Sequence, residues 1–251
     1  MHYQNKCQLC GYCVSKSNNH IKISENKLVI DRINCTNLPE LAELCPYEAY
    51  EVIGKYYSPK ETAEKLLRDE VFYRQSEGGV TFSGGEASLY PEYLLEVAKE
   101  LKKHDISLAL DTAGLWDRKK LECLLPYLDL VLFDVKAYDG ELHKKLCGTD
   151  NRIILANLRW LVDKKAKVIG RLVLVPEAND DLSDVKKRLD LLESLKIKQV
   201  DILYYHRLAV GKYKALASDY PLIATKTCSE EYKNKIKELT AKYSFVVTYS
   251  E

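Results

Sequence analysis

The 251 residues carry 38 Lys and Arg against 37 Asp and Glu, a formal net charge of +1 that argues against bulk attraction to nucleic acid or a charged membrane. No apolar run reaches the length of a membrane span, and Met1 to Lys6 contain no apolar signal core, so a cytoplasmic chain is expected. The length suits one large α/β domain, or one domain with a small appendage, and eight cysteines in such a chain point to metal or redox chemistry more than to disulfides.

Five of the cysteines lie before residue 46, which divides the chain into a cysteine-rich head, 1–54, and a regular body, 55–251. Cys7, Cys10 and Cys13 form a C-x2-C-x2-C run, and Cys45 is followed by Pro46. The pattern resembles a two-cluster ferredoxin, in which each run's fourth cysteine serves the other run's cluster. On that template Cys7, Cys10, Cys13 and Cys45 make one complete [4Fe–4S] ligand set. The other set falls on Ser17, Cys35, Leu38 and Leu41, three of which supply no thiolate. A structural zinc site on the same four cysteines is the alternative, and Cys35 reads as a buried leftover thiol. Ile21–Ile23 and Leu28–Ile30 predict a small hairpin between the runs.

In the body the pattern alternates. Helical spacing over 61–68 precedes strands predicted at 80–83, 107–111, 128–134, 168–175 and 200–205. Helices are predicted between them at 91–104, 118–125, 141–146, 152–164 and 181–195, and a helix at 230–242 and a strand at 245–248 close the chain. Such alternation implies right-handed βαβ units and a parallel sheet.

The carboxyl ends of these strands are polar. The first runs into Gly84-Gly85-Glu86, whose glycines let the backbone turn sharply and approach a ligand. Later strands carry Asp111, Asp134 with Lys136, Arg171, and His206. Each has a plain structural explanation: Asp134 and Lys136 share a face and can pair, Asp111 can cap a turn, and His206 suits a hydrogen-bonded core position. Arg171 within an apolar strand needs a partner. Together they describe a barrel rim built for a charged small molecule.

Thr81 to Glu86, Leu110 to Gly114, Asp134-Val135-Lys136, Arg171 with Pro176 and Asn179-Asp180, and Tyr205 to Leu208 with Gly211-Lys212-Tyr213 occur in that order. In this set the chain resembles the glycyl radical enzyme activating enzymes, the pyruvate formate-lyase activase family of radical S-adenosylmethionine proteins. The head is similar to the branch carrying a ferredoxin-like insert. The resemblance implies an α/β fold, a partial (β/α)6 TIM-like barrel with an N-terminal ferredoxin-like Fe–S module. It implies that Gly84, Gly85 and Glu86 hold the amino group of S-adenosylmethionine, and that Asp111, Lys136, Arg171 and His206 complete that site. A monovalent cation at Asp111, Thr112 and Asp134 belongs to the same implied set. So do a glycyl radical enzyme as protein substrate and a flavodoxin or ferredoxin-type reductant. His143 to Asn151 is similar to the segment associated with the partner's glycine loop. Cys147 stands there in place of the usual threonine, and Glu177 in place of a usual glycine.

One departure stands out. The family's chemistry needs a C-x3-C-x2-C loop after the first barrel strand, whose cluster cleaves the sulfonium to a 5′-deoxyadenosyl radical. No such loop occurs in this sequence. The expectation is therefore a barrel lacking its first strand, with no assigned catalytic residue, inactive as written because of a misplaced start, a frameshift or a shortened chain. The alternatives are a non-catalytic iron–sulfur electron-transfer or interaction protein and a zinc-stabilised binding module.

Overall fold

In the computed structural model, which describes residues 1–250, the chain separates into two units. One is Met1–Tyr56 with Arg207–Ala224, the other Tyr57–His206 with Thr225–Glu251. The expected division fell at 54/55 with everything beyond in the body. Residues 207–224 group with the head because main-chain and side-chain donors hold them there: His2 N and Arg32 Nη2 both reach Ala215 O, at 2.9 and 3.1 Å.

The head is built around an antiparallel hairpin, β1 (Ile21–Ser24) and β2 (Lys27–Ile30), with Ile21 opposite Ile30. Its two-residue turn, Glu25-Asn26, has both residues at positive φ (49° and 56°), as the twist-matching hairpin turn requires. Short helices lie within the cysteine runs: Tyr12–Lys16 includes Cys13, and Leu38–Glu43 stands between Cys35 and Cys45. Ile21, Leu28, Cys35 and Leu41 form its core, with Leu38 packed against them.

The body's sheet is six-stranded and entirely parallel. Its strands are β3 (Gly79–Phe82), β4 (Ser107–Thr112), β5 (Leu130–Asp134), β6 (Val168–Leu174), β7 (Gln199–Tyr204) and β8 (Val246–Ser250). Their spatial order is their sequence order. With no reversal, right-handed crossovers stay on one face, the geometry of a barrel wall. That face is dry. Leu108, Leu110, Val131, Phe133, Leu172, Leu174, Val200 and Ile202 meet apolar residues of the helices, such as Leu94, Val97, Ala98 and Leu101 of Pro91–Lys102 and Leu158 and Leu161 of Arg152–Asp163. The alternate residues, including Asp111, Asp134, Arg171 and Asp201, are half-buried on the opposite, inner face.

Several boundaries differ from the sequence reading. The helix expected at 61–68 begins at Pro59, because Ser58 and Glu61 close a reciprocal capping box. The helix expected over 118–125 stops after Leu121, and Leu125–Tyr127 forms a 3-10 turn around Pro126, which has no N–H to continue an α-helical ladder. Glu70–Ser76 and Ala209–Ala215 are helical without the long apolar stripe that periodicity detects. Among the described residues no helix is long and apolar enough to cross a membrane.

Candidate functional site

Strand register brings the charged residues together. It sets Asp134 beside Arg171 and Arg171 beside Asp201, with Thr248 next in the row. Arg171 Nε donates to Asp134 Oδ1 at 2.8 Å, Nη1 donates to Asp111 Oδ2 at 3.2 Å, and Nη2 donates to Asp111 Oδ1. Lys136 Nζ stands 3.4 Å from Asp134 Oδ2, so the pairing of Asp134 with Lys136 is made. The Arg171 side chain is only 15% exposed, which makes these partners obligatory. Burial opposes its charge, but Asp134 and Asp111 outweigh burial and raise its pKa. Asp201, which sequence inspection did not single out, accepts from Gln199 Nε2 at 3.1 Å and from Thr248 Oγ1.

Glu86 is held from two strand ends. Its Oε1 accepts from Ser88 Oγ (2.6 Å), Ser88 N (3.3 Å) and Thr112 Oγ1 (2.8 Å), and its Oε2 accepts from Ala113 N (2.7 Å). A carboxylate has about four lone-pair sites, so Oε2 keeps capacity for one further donor, such as an ammonium group. Beside it Gly84 has φ +130°, a conformation that disfavours any side chain, and Cβ atoms built on Gly84 or Gly85 would meet nothing within 4 Å. The glycine pair therefore presents bare backbone to open space. That arrangement fits the methionyl end of S-adenosylmethionine. Gly114 serves packing instead: at φ +84°, a Cβ there would lie 2.3 Å from Phe133 Cζ.

Behind the rim lies a buried support that the sequence reading missed. Arg188, fully buried, donates to Asn179 O at 2.6 Å and to Lys136 O at 3.3 Å. Its Nε is 2.9 Å from Asp184 Oδ2, an ion pair too far off line to count as a hydrogen bond. Burial pushes the Arg188 pKa down, and Asp184 opposes it. Asn179 Nδ2 donates to Lys136 O (2.8 Å) and Val173 O (2.7 Å), tying the ends of β5 and β6 together. The signal was present: Asp184 and Arg188 sit one turn apart on the same helix face as Val185, Leu189 and Leu192. Glu177 has φ +64°, a left-handed conformation that explains why a glycine suits this position.

The remaining expected residues fall in different places. His206 is exposed just beyond the end of β7. In the expected partner segment, His143 and Asn151 are buried and bind main chain: His143 Nδ1 is 2.7 Å from Thr149 O, and Asn151 Nδ2 donates to Ala137 O and Tyr138 O at 2.9 Å. Cys147 is exposed.

In the head, Cys7, Cys10, Cys13 and Cys45 line one small pocket, walled also by Leu28, Leu41, Ala49 and Tyr50. Leu9 and Gly11, at φ 51° and 78°, curl the first run around it. Among the described residues no three His, Cys, Asp or Glu side chains converge tightly enough to chelate a single metal ion. Four thiols around one pocket are a donor set that suits an iron–sulfur cluster or a tetrahedral zinc ion alike. Ala49 N donates to Cys45 Sγ at 3.4 Å, while the buried Tyr50 hydroxyl has no partner of good geometry. Burial raises the Cys13 pKa, partly offset by Tyr50, and burial with the nearby thiols raises that of Tyr50. The alternative ligand positions are filled: Ser17 is fully buried, with its Oγ donating to Val14 O and accepting from Ile21 N, and Cys35 sits in the core beside Leu38 and Leu41. Burial raises the Cys35 pKa.

Comparison with known proteins follows this geometry. The radical SAM superfamily model matches residues 5–192. The chain is 31% identical over 256 residues to the choline trimethylamine-lyase activating enzyme of Oleidesulfovibrio alaskensis, covering 99% of this chain and 83% of that one. It is 32% identical over 246 residues to the (2S)-3-sulfopropanediol dehydratase activating enzyme of Klebsiella oxytoca, covering 94% and 78%. A crystal structure of a domain of pyruvate-formate lyase-activating enzyme from Bacteroides vulgatus superposes with a TM-score of 0.58 at 27% identity, covering 69% of this chain and 99% of that one. The parallel sheet, the glycine pair with its tethered glutamate and these matches agree: the chain belongs to the radical SAM superfamily, among its glycyl radical enzyme activating enzymes, a family that works with a [4Fe–4S] cluster and S-adenosylmethionine.

Proposed function

We propose that this chain binds S-adenosylmethionine at the barrel rim, carries an auxiliary [4Fe–4S] cluster in a ferredoxin-like head, and serves the activation of a glycyl radical enzyme. The observation that carries the reading is Glu86, fixed by four hydrogen bonds beside bare glycine backbone. Gly84 and Gly85 admit the ligand's methionyl end, and Glu86 Oε2 accepts from its ammonium. Lys136 and Arg171 face its carboxylate, and Asp111 orients Arg171. His206 completes the rim, and the oxygens of Asp111, Thr112 and Asp134 are the donors for a monovalent cation. When bound together, S-adenosylmethionine and a reduced cluster of the radical type supply a hydrogen-abstracting radical.

In the head, Cys7, Cys10, Cys13 and Cys45 would hold the auxiliary cluster, which would supply one-electron chemistry with a flavodoxin or ferredoxin-type partner. A hairpin flanked by two cysteine runs, each with a short helix within it, supports the ferredoxin-like description. Because the 251 residues contain no C-x3-C-x2-C, this chain by itself is expected to bind the sulfonium nucleotide without cleaving it. The test is anaerobic reconstitution followed by iron analysis, calorimetric binding of S-adenosylmethionine and a 5′-deoxyadenosine assay. About four irons per chain are expected, with nucleotide binding weakened at least tenfold, about 1.4 kcal/mol, by Glu86→Ala. Unchanged binding would favour a purely electron-transferring or docking role. Formation of 5′-deoxyadenosine would reassign Cys7, Cys10 and Cys13 to the radical cluster.

A further inference from the structure

Tyr50 occupies an unusual position in the head. Its ring packs beside the buried His2 ring, centroids 4.9 Å apart, and the two residues are joined by an antiparallel bridge. The side chain also packs on the core of Ile21, Leu28, Cys35 and Leu41. Held by ring and backbone, its hydroxyl cannot swing to solvent. It lines the pocket shared by the four thiols, and although Cys13 is the thiol it interacts with, it makes no hydrogen bond of good geometry there. An unsatisfied buried hydroxyl costs about 1–3 kcal/mol, a penalty removed when a strong acceptor is present.

The groups around it say which acceptor. A neutral thiol accepts weakly, whereas a ligating thiolate is an anionic acceptor for which hydrogen bonds are shorter and roughly twice as strong. The preceding residue already shows the pattern, since Ala49 N donates to Cys45 Sγ. We infer that the Tyr50 hydroxyl donates to the Cys13 thiolate when the head carries its cluster, and that this bond raises the cluster's reduction potential. The inference rests on the proposed ligand set. The direction follows from charge: one-electron reduction adds negative charge that is shared by the ligating sulfurs. A donor at sulfur therefore stabilises the reduced state more than the oxidised one.

The experiment uses the full chain, reconstituted anaerobically, as wild type, Tyr50→Phe and a chain with 3-fluorotyrosine at position 50, a stronger donor of nearly the same shape. Iron and sulfide are quantified, and the midpoint is read by dithionite titration followed by electron paramagnetic resonance. Tyr50→Phe keeps the packing, so a merely structural role leaves the midpoint in place. The expected result is equal iron content with the Tyr50→Phe midpoint more negative by over a twofold change in equilibrium constant, about 18 mV for one electron, and the fluorotyrosine midpoint more positive. Equal iron with the Tyr50→Phe midpoint within that window overturns the role of Tyr50 and leaves the ligand set standing. Wild-type chain without cluster iron overturns the ligand set, and the inference with it. Should Tyr50→Phe fail to hold the cluster, an unmoved fluorotyrosine midpoint overturns the inference alone.

Discussion

The head and the barrel rim keep reactive groups in place by opposite means. At the rim, Asp111, Asp134, Lys136 and Arg171 neutralise one another across three strands, on a sheet backed by a core of thirty-four buried residues. In the head, four thiols line a small pocket over a core of only four buried residues. The rim is complete as a protein structure before any ligand arrives. The head is a small unit whose own core buries little apolar surface.

That contrast is best broken at the cysteines. Cys45→Ala should abolish cluster iron and leave residues 1–56 open to thermolysin while the barrel resists, whereas Cys35→Ala should retain full iron. Iron analysis with mass mapping of the fragments checks both, and equal iron in the two variants would erase the distinction between ligand and core thiol. The next effect belongs to the rim. Arg171→Ala leaves Asp111 and Asp134 facing each other, half-buried, without their shared cation. A loss of about 2–4 kcal/mol is expected in the barrel's urea transition, the lower part of the range for broken buried pairs because the carboxylates keep some solvent. Arg171→Lys should recover part of this, since an ammonium restores charge but not the forked geometry.

The smallest effect sharpens the head's side of the comparison. Burial first, then the Arg32 charge, lowers the His2 pKa below its ordinary 6.5. Above that value neither the folded nor the unfolded chain protonates His2, and its contribution is intact. As pH falls below it, the unfolded chain takes up the proton first and the head loses stability until the folded pKa is passed. Thermolysin cleavage of the head should therefore quicken between pH 7 and 5.5, and His2→Phe, which keeps the ring packing, should flatten the dependence.

The head's cysteine pattern could be read from residues alone because it is local in character. Three cysteines at fixed spacing and a Cys-Pro pair name a template, and the residues at the other positions of that template are now seen as core. The strands were legible for a related reason: alternation and length mark β3 to β8 without knowledge of their neighbours. Short elements such as Glu70–Ser76 escaped, since no apolar stripe marks them.

By itself, then, the amino-acid order determined the cysteine grouping, the βα alternation and the polar residues at the strand ends, because each depends on neighbours within a few positions. Only the tertiary structure decided that Arg171 is shared between Asp111 and Asp134, that Thr112 and Ala113 fix Glu86, that Arg188 supports Lys136 from behind, and that Tyr50 lines the pocket of the four thiols. The hydrogen bonds among these join residues from 26 to 60 positions apart, within range only once register and packing are set. A charge shows that it needs a partner. It does not show which strand will bring one.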